Sequence, residues 1–89
     1  MDIKSWKIML AVDDYGSFTR VGAELGYTQS GITQMMKNLE KKVGFPLYIK
    51  DHHGIRLTNE AKSLIPAIRT LLNADEVIHQ EIAALNGAQ

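Results

Sequence analysis

A chain of 89 residues with 45% hydrophobic composition supports one core, and the lack of cysteine excludes disulfides and thiolate metal sites. Ten Lys and Arg balance ten Asp and Glu, which argues against a partner held by bulk positive charge, as nucleic acid often is. No apolar run approaches a membrane span and Met1-Asp2-Ile3-Lys4 has no signal-peptide pattern, so a cytoplasmic chain is expected.

Asp2 can cap a first helix in which Ile3, Trp6, Met9 or Leu10, and Val12 form an apolar stripe, and Tyr15-Gly16 ends it. Ser17 restarts a short helix to Leu25, with Phe18, Val21 and Leu25 at helical spacing. Gly22 inside it costs about 1 kcal/mol of helix propensity against Ala, which a close approach by another helix would explain. Gly26-Tyr27 makes a tight turn. Thr28 then caps a third helix reaching Val43, with Gly44 and Pro46 to stop it. Two helices joined around a Gly form the helix-turn-helix pattern.

Leu47-Tyr48-Ile49-Lys50 and Ile55-Arg56-Leu57-Thr58 are predicted as short strands around Asp51-His52-His53-Gly54, a hairpin with Gly54 in its turn. A hairpin directly after a helix-turn-helix is a wing, and the combination is far more specific than either part. Thr58 can cap a last helix running to about Leu85. Pro66 should bend it, because the ring displaces the hydrogen bond to the Lys62 carbonyl. Asn86-Gly87-Ala88-Gln89 should fray.

The third helix divides into two faces. At 100° per residue Gln29, Ser30, Thr33, Gln34, Lys37 and Lys41 fall within an arc of about 140°, and Ile32, Met35, Met36, Leu39 and Val43 within another of about 100°. An ordinary solvated face favours Glu and Lys; this one carries amides and hydroxyls, with Glu40 only at its edge. Gln can bond adenine bidentately, Thr and Ser reach varied base edges, and Lys37 suits guanine or phosphate. A helix fits the major groove of DNA, so a recognition helix over 28–43 is the favoured reading. Charge placement agrees: through Lys50 seven basic residues stand against five acidic, and from Asp51 onward three against five.

In the last helix Ala61, Leu64, Ile68, Leu71, Asp75, Ile78, Ile82 and Leu85 alternate steps of three and four, a heptad pattern widened by Ile65 and Leu72. Leu64, Ile65 and Ile68 can pack on their own domain. The helix spans about 40 Å, longer than a small domain is wide. Leu71, Leu72, Ile78, Ile82 and Leu85 therefore need another surface, and a second copy is the simplest one. A homodimer is expected, which would read an inverted repeat.

No nucleophile elbow, phosphate loop or paired-carboxylate motif is present, so neither an enzyme nor a cofactor is expected. His52-His53 with Asp51 could suggest a metal, but neighbours on a strand point to opposite faces and no other ligand cluster is evident, so none is expected. His79 is read as a surface or interface residue. The rival reading is a small helical dimerisation module whose exposed face binds another protein and no DNA.

The blocks Gly16-Ser17-Phe18-Thr19-Arg20, Ala23-Glu24-Leu25, Thr28-Gln29-Ser30, Leu39-Glu40, Val43-Gly44-Phe45-Pro46-Leu47-Tyr48 and Arg56-Leu57-Thr58 resemble, in order and spacing, the N-terminal domain of LysR-type transcriptional regulators. The resemblance runs from Ile3 to about Leu72. It implies a mainly α fold with a small β-hairpin, a winged helix-turn-helix over 1–58 followed by a linker helix over 59–89 that forms a dimer. It further implies that Ser17, Phe18, Thr19 and Arg20 contact the DNA backbone, and Lys41 on the same outer face of the third helix is expected to join them. Gln29, Ser30, Thr33 and Gln34 would read bases, with Lys37 close by, and a wing over 48–57 would reach the minor groove through Lys50, His52 and His53. Gln34 and Lys50 stand where Arg is usual in that family, His53 where a basic tip residue is common, and Val21-Gly22 where Ala-Ala is usual. Such regulators continue into a small-molecule-sensing domain and assemble further, up to tetramers. Nothing in 89 residues could fold into that domain, so a fragment of a longer parent is expected.

Overall fold

The computed structural model describes residues 2–87. Four helices and one hairpin follow in the order α1 (Ile3–Tyr15), α2 (Phe18–Leu25), α3 (Gln29–Val43), β1 (Tyr48–Asp51), β2 (Gly54–Leu57) and α4 (Asn59–Leu85). This is the mainly α, winged helix-turn-helix architecture with a long terminal helix. Each helix starts the same way. Asp2, Ser17, Thr28 and Thr58 sit in extended backbone, and their side-chain oxygens accept the N–H groups of Ser5, Arg20, Gly31 and Ala61. One otherwise orphaned donor of each first turn is thereby satisfied.

The core lies where α1, α2 and α3 meet and is closed by the hairpin and the start of α4. Ile8, Met9, Val12, Val21, Ile32 and Met36 are buried completely or nearly so, and Leu47, Leu57, Ala61 and Ile68 cover them. The tolerance of Gly22 has a different cause from the one expected. A Cβ there would lie 2.5 Å from the Tyr27 carbonyl oxygen, so the close neighbour is the turn entering α3 and not a helix. Tyr27 and Gly26 donate their N–H groups to the Gly22 carbonyl at 2.8 and 2.9 Å, which draws the turn down onto α2.

The hairpin keeps the pairing that its predicted strands imply, but the ladder lies one residue nearer the turn. Tyr48 pairs with Leu57, Ile49 with Arg56, Lys50 with Ile55 and Asp51 with Gly54, leaving His52-His53 as a two-residue turn. Gly54 is thus in the ladder and not in the turn. Its φ of 110° and the 2.8 Å that would separate a Cβ from the Gly16 oxygen both require glycine. That same oxygen accepts the Ile55 N–H at 3.0 Å and docks the wing on the end of α1. Leu47 and Thr58 flank the ladder. The Thr58 N–H donates to the Leu47 carbonyl and its hydroxyl to the Pro46 carbonyl, at 3.0 and 2.9 Å.

α4 continues as one helix through Pro66. It packs on α1 and β2. Ile68 is buried, Leu64, Ile65 and Leu72 are half-buried against the core, and every described residue beyond Leu72 except Asp75 is exposed. Leu72, expected to need a second chain, finds part of its cover at home. Asn86 and Gly87, expected to fray, close the helix by donating to the Ile82 and Ala84 carbonyls at 3.1 Å; Ala88 and Gln89 lie outside the described residues. Among the described residues no helix is long and apolar enough to cross a membrane.

Candidate nucleic-acid interface

Burial of Ile32, Met36 and Leu39 fixes the rotation of α3 about its axis. Gln29, Ser30, Gln34, Lys37 and Lys41 are in consequence exposed, and Thr33 is half-buried at the foot of the same face. The amides and hydroxyls expected to face outward do so. They are ordered along the helix: Gln29 Nε2 donates to Thr33 Oγ1 at 2.8 Å, and Thr33 Oγ1 donates to the Gln29 carbonyl at 3.1 Å. One turn on, Gln34 Nε2 donates to Asn38 Oδ1 at 2.9 Å. Asn38 was absent from the sequence-based set, although a Gln and an Asn four residues apart on a helix are natural partners. Glu40 turns away from this face. Its carboxylate accepts the Leu47 N–H at 2.8 Å and ties α3 to the hairpin.

Two flanks frame the helix. On one side, Ser17, Thr19, Gln29 and Lys50 line a single cleft together with the backbone of Gly16 and Phe18. The Phe18 ring is buried and meets Tyr48 edge-on at 5.0 Å between centroids. Only its main-chain N–H is thus open to an anion, as one of the free donors at a helix N-terminus. Arg20 projects from α2 with its guanidinium 5.2 Å from the Tyr15 ring centre, and the Lys37 ammonium stands 6.0 Å from the Tyr48 ring centre. Aromatic faces thus support two of the cations expected to meet DNA.

On the wing, His52 and His53 occupy the turn and not a strand, and their rings lie 4.0 Å apart instead of pointing to opposite faces. Among the described residues no group of three or more His, Cys, Asp or Glu gathers as a metal would need. Asp51 accepts the His53 N–H at 2.9 Å and an ion pair from Arg56 Nη1, diagonally across the hairpin. Hydrogen bonding to Arg56, then to the His53 amide, holds the Asp51 carboxyl below its ordinary 3.8. A depressed carboxylate stabilises the wing above that value and loses the effect as pH falls through the folded one. In Arg56→Gln, carbon-13 NMR of Asp51 should find the titration moved back up toward 3.8. An unmoved curve would mean that Arg56 does not hold it.

The expected self-association residues form a separate surface. Leu71, Ile78, Ile82 and Leu85 are exposed along one side of α4, at 42%, 57%, 49% and 86%, and Val77 joins them. Such a row of large apolar side chains is unusual for a solvated helix. Asp75 lies in this stripe, half-buried, with His79 Nε2 at 3.4 Å from its carboxylate.

A family model described as bacterial regulatory helix-turn-helix protein, lysR family, matches residues 3–62. The HTH-type transcriptional activator CmpR of Synechocystis sp. is 31% identical over 96% of the chain. YvbU of Bacillus subtilis, described as an uncharacterized HTH-type transcriptional regulator, is 30% identical over all of it. The chain spans 28% and 31% of the lengths of those two relatives. Among solved structures, the CbnR DBD in a DNA complex superposes with a TM-score of 0.86 at 26% identity, covering 97% of this chain and 99% of that one.

Proposed function

The chain belongs to the LysR family of bacterial regulatory helix-turn-helix proteins, and we propose that it binds double-stranded DNA sequence-specifically to regulate transcription. One observation carries this reading: the exposed face of α3 presents Gln29, Ser30, Thr33, Gln34 and Lys37 between a cationic wing and the N-terminus of α2. α3 enters the major groove, with Gln29, Ser30, Gln34 and Lys37 at base edges and Thr33 at the foot of that face. Ser17, the Phe18 amide, Thr19, Arg20 and Lys41 grip phosphates to either side, and Lys50, His52 and His53 bring the wing to the minor groove. The similarity to a domain solved on DNA supports the arrangement.

Residues 1–58 form the DNA-binding unit, and 59–89 the linker through which a homodimer reads an inverted repeat. Leu71, Ile78, Ile82 and Leu85 face the mate, and Leu72 contributes its uncovered side. In a longer cytoplasmic parent, a small-molecule effector and any tetramer would involve regions outside this segment. No enzymatic role is assigned, in keeping with relatives described as transcriptional regulators.

Fluorescence anisotropy with duplexes selected from a random library, titrated against salt, tests the reading. Affinity should fall steeply as salt rises. Gln29→Ala should lose about 1–3 kcal/mol of discrimination at one base pair. Arg20→Ala should weaken all duplexes alike and reduce the salt slope by about one. Salt-independent binding, or no selection of any sequence, would favour the protein-interaction reading instead.

A further inference from the structure

The hydroxyl of Thr33 has one proton, and the Gln29 main-chain oxygen takes it at 3.1 Å. Toward the Gln29 side chain the hydroxyl can then only accept, so Nε2, and not Oε1, must face it; their separation is 2.8 Å. With the hydroxyl proton on that main-chain oxygen, the Gln29 amide lies only this way round. With one N–H committed to Thr33, the amide keeps Oε1 and its second N–H free, an acceptor beside a donor. Gln29 is exposed and borders the cleft shared with Thr19 and Lys50, so that edge is available to a ligand.

Of the four bases seen from the major groove, adenine alone presents a donor beside an acceptor, N6–H next to N7. Guanine offers two acceptors, one of which would oppose Oε1. Thymine offers an acceptor and a methyl, and cytosine a single donor. The geometry points to Thr33 as a positioning residue that locks the Gln29 amide in the orientation that selects adenine. This inference rests on the DNA-binding reading above. It gives Thr33 a role other than direct base contact: its hydroxyl is spent on both sides of Gln29, and its side chain is half-buried where Gln29 is exposed.

The test is selection from a random-duplex library, followed by anisotropy on the selected duplex and its single-base variants. The wild type and Gln29→Ala together identify the base pair that Gln29 reads, which should be A·T. In Thr33→Val, which keeps the shape and removes the hydroxyl, the preference for adenine at that pair should fall about five-fold or more, within the range one bidentate contact supplies. Preferences at other pairs and the salt dependence should stay as they are. Thr33→Ser should restore the preference. In a Gln29→Ala background Thr33→Val should change nothing further, because the hydroxyl acts only through Gln29.

A Thr33→Val protein that keeps its adenine preference overturns the proposal. So does a loss that adds to that of Gln29→Ala, or that falls at a different base pair. A wild type that selects no sequence removes the DNA-binding reading itself, and the inference with it.

Discussion

Replacing Ile78 and Ile82 together by Asp is expected to hold the protein as a monomer and to lower its affinity for a two-half-site duplex by about 100-fold or more. Both side chains are about half exposed on the isolated chain, beyond the part of α4 that packs on its own domain. Burying each would contribute about 1.5–3 kcal/mol, and a two-fold axis counts each contribution twice. A carboxylate in their place would have to be desolvated at the seam, and it would face its own symmetry mate or Asp75. Affinity for a single half-site should be unchanged, since neither residue lies near α3 or the wing. Sedimentation velocity and anisotropy on one-site and two-site duplexes measure the two effects separately. A variant that remains dimeric would move the interface to the groove between α1 and α4, where Trp6, Leu64, Ala67 and Leu71 leave apolar surface open.

Thr58→Val should destabilise the fold by about 2–3 kcal/mol, as the loss of a helix cap adds to a carbonyl left without its partner. Among the described residues Thr58 is the one buried polar side chain, and three hydrogen bonds converge on it. Its hydroxyl donates to the Pro46 carbonyl and accepts the Ala61 N–H at 3.1 Å, while its own N–H reaches the Leu47 carbonyl. Valine keeps the volume and the main-chain bond and loses the other two. For a domain of this size the melting temperature should drop by about 10 °C or more. Thr58→Ser should recover most of the loss. A Val variant that melts with the wild type would show that solvent replaces both bonds at no cost. Because Thr58 joins the hairpin to α4, its loss should also loosen the wing relative to the recognition face.

The helix boundaries were legible because each start is written in one residue type. Asp2, Thr28 and Thr58 cap as expected, Ser17 caps the helix it was expected to begin, and the 3.6-residue period of α3 assigned its inner and outer faces correctly. The hairpin was legible in its pairing but not in the length of its turn. Composition places Gly54 in a turn as readily as in a strand, and what decides is its approach to Gly16, 38 positions earlier, a contact no local pattern contains. Reading Asp51 and Gly54 as turn residues hid the Asp51–Arg56 pair, which becomes a diagonal cross-strand pair once Asp51 joins the ladder. Phe18 was assigned to the backbone-contacting set by its position in a motif. Its burial against Tyr48 depends on where the hairpin docks, which motif matching does not express. Asn38 could have been found, since its spacing from Gln34 needs only the helix that was already predicted.

The side-chain amide signals of Gln29 and Gln34 offer the most direct test that the outer face of α3 reads DNA. In nitrogen-15 NMR, titration with a library-selected duplex should move both, together with Lys37 and the Phe18 and Thr19 main-chain amides, while amides of α4 beyond Leu72 stay in place. If the duplex binds and leaves Gln29 and Gln34 unmoved, the recognition surface is elsewhere and the account fails.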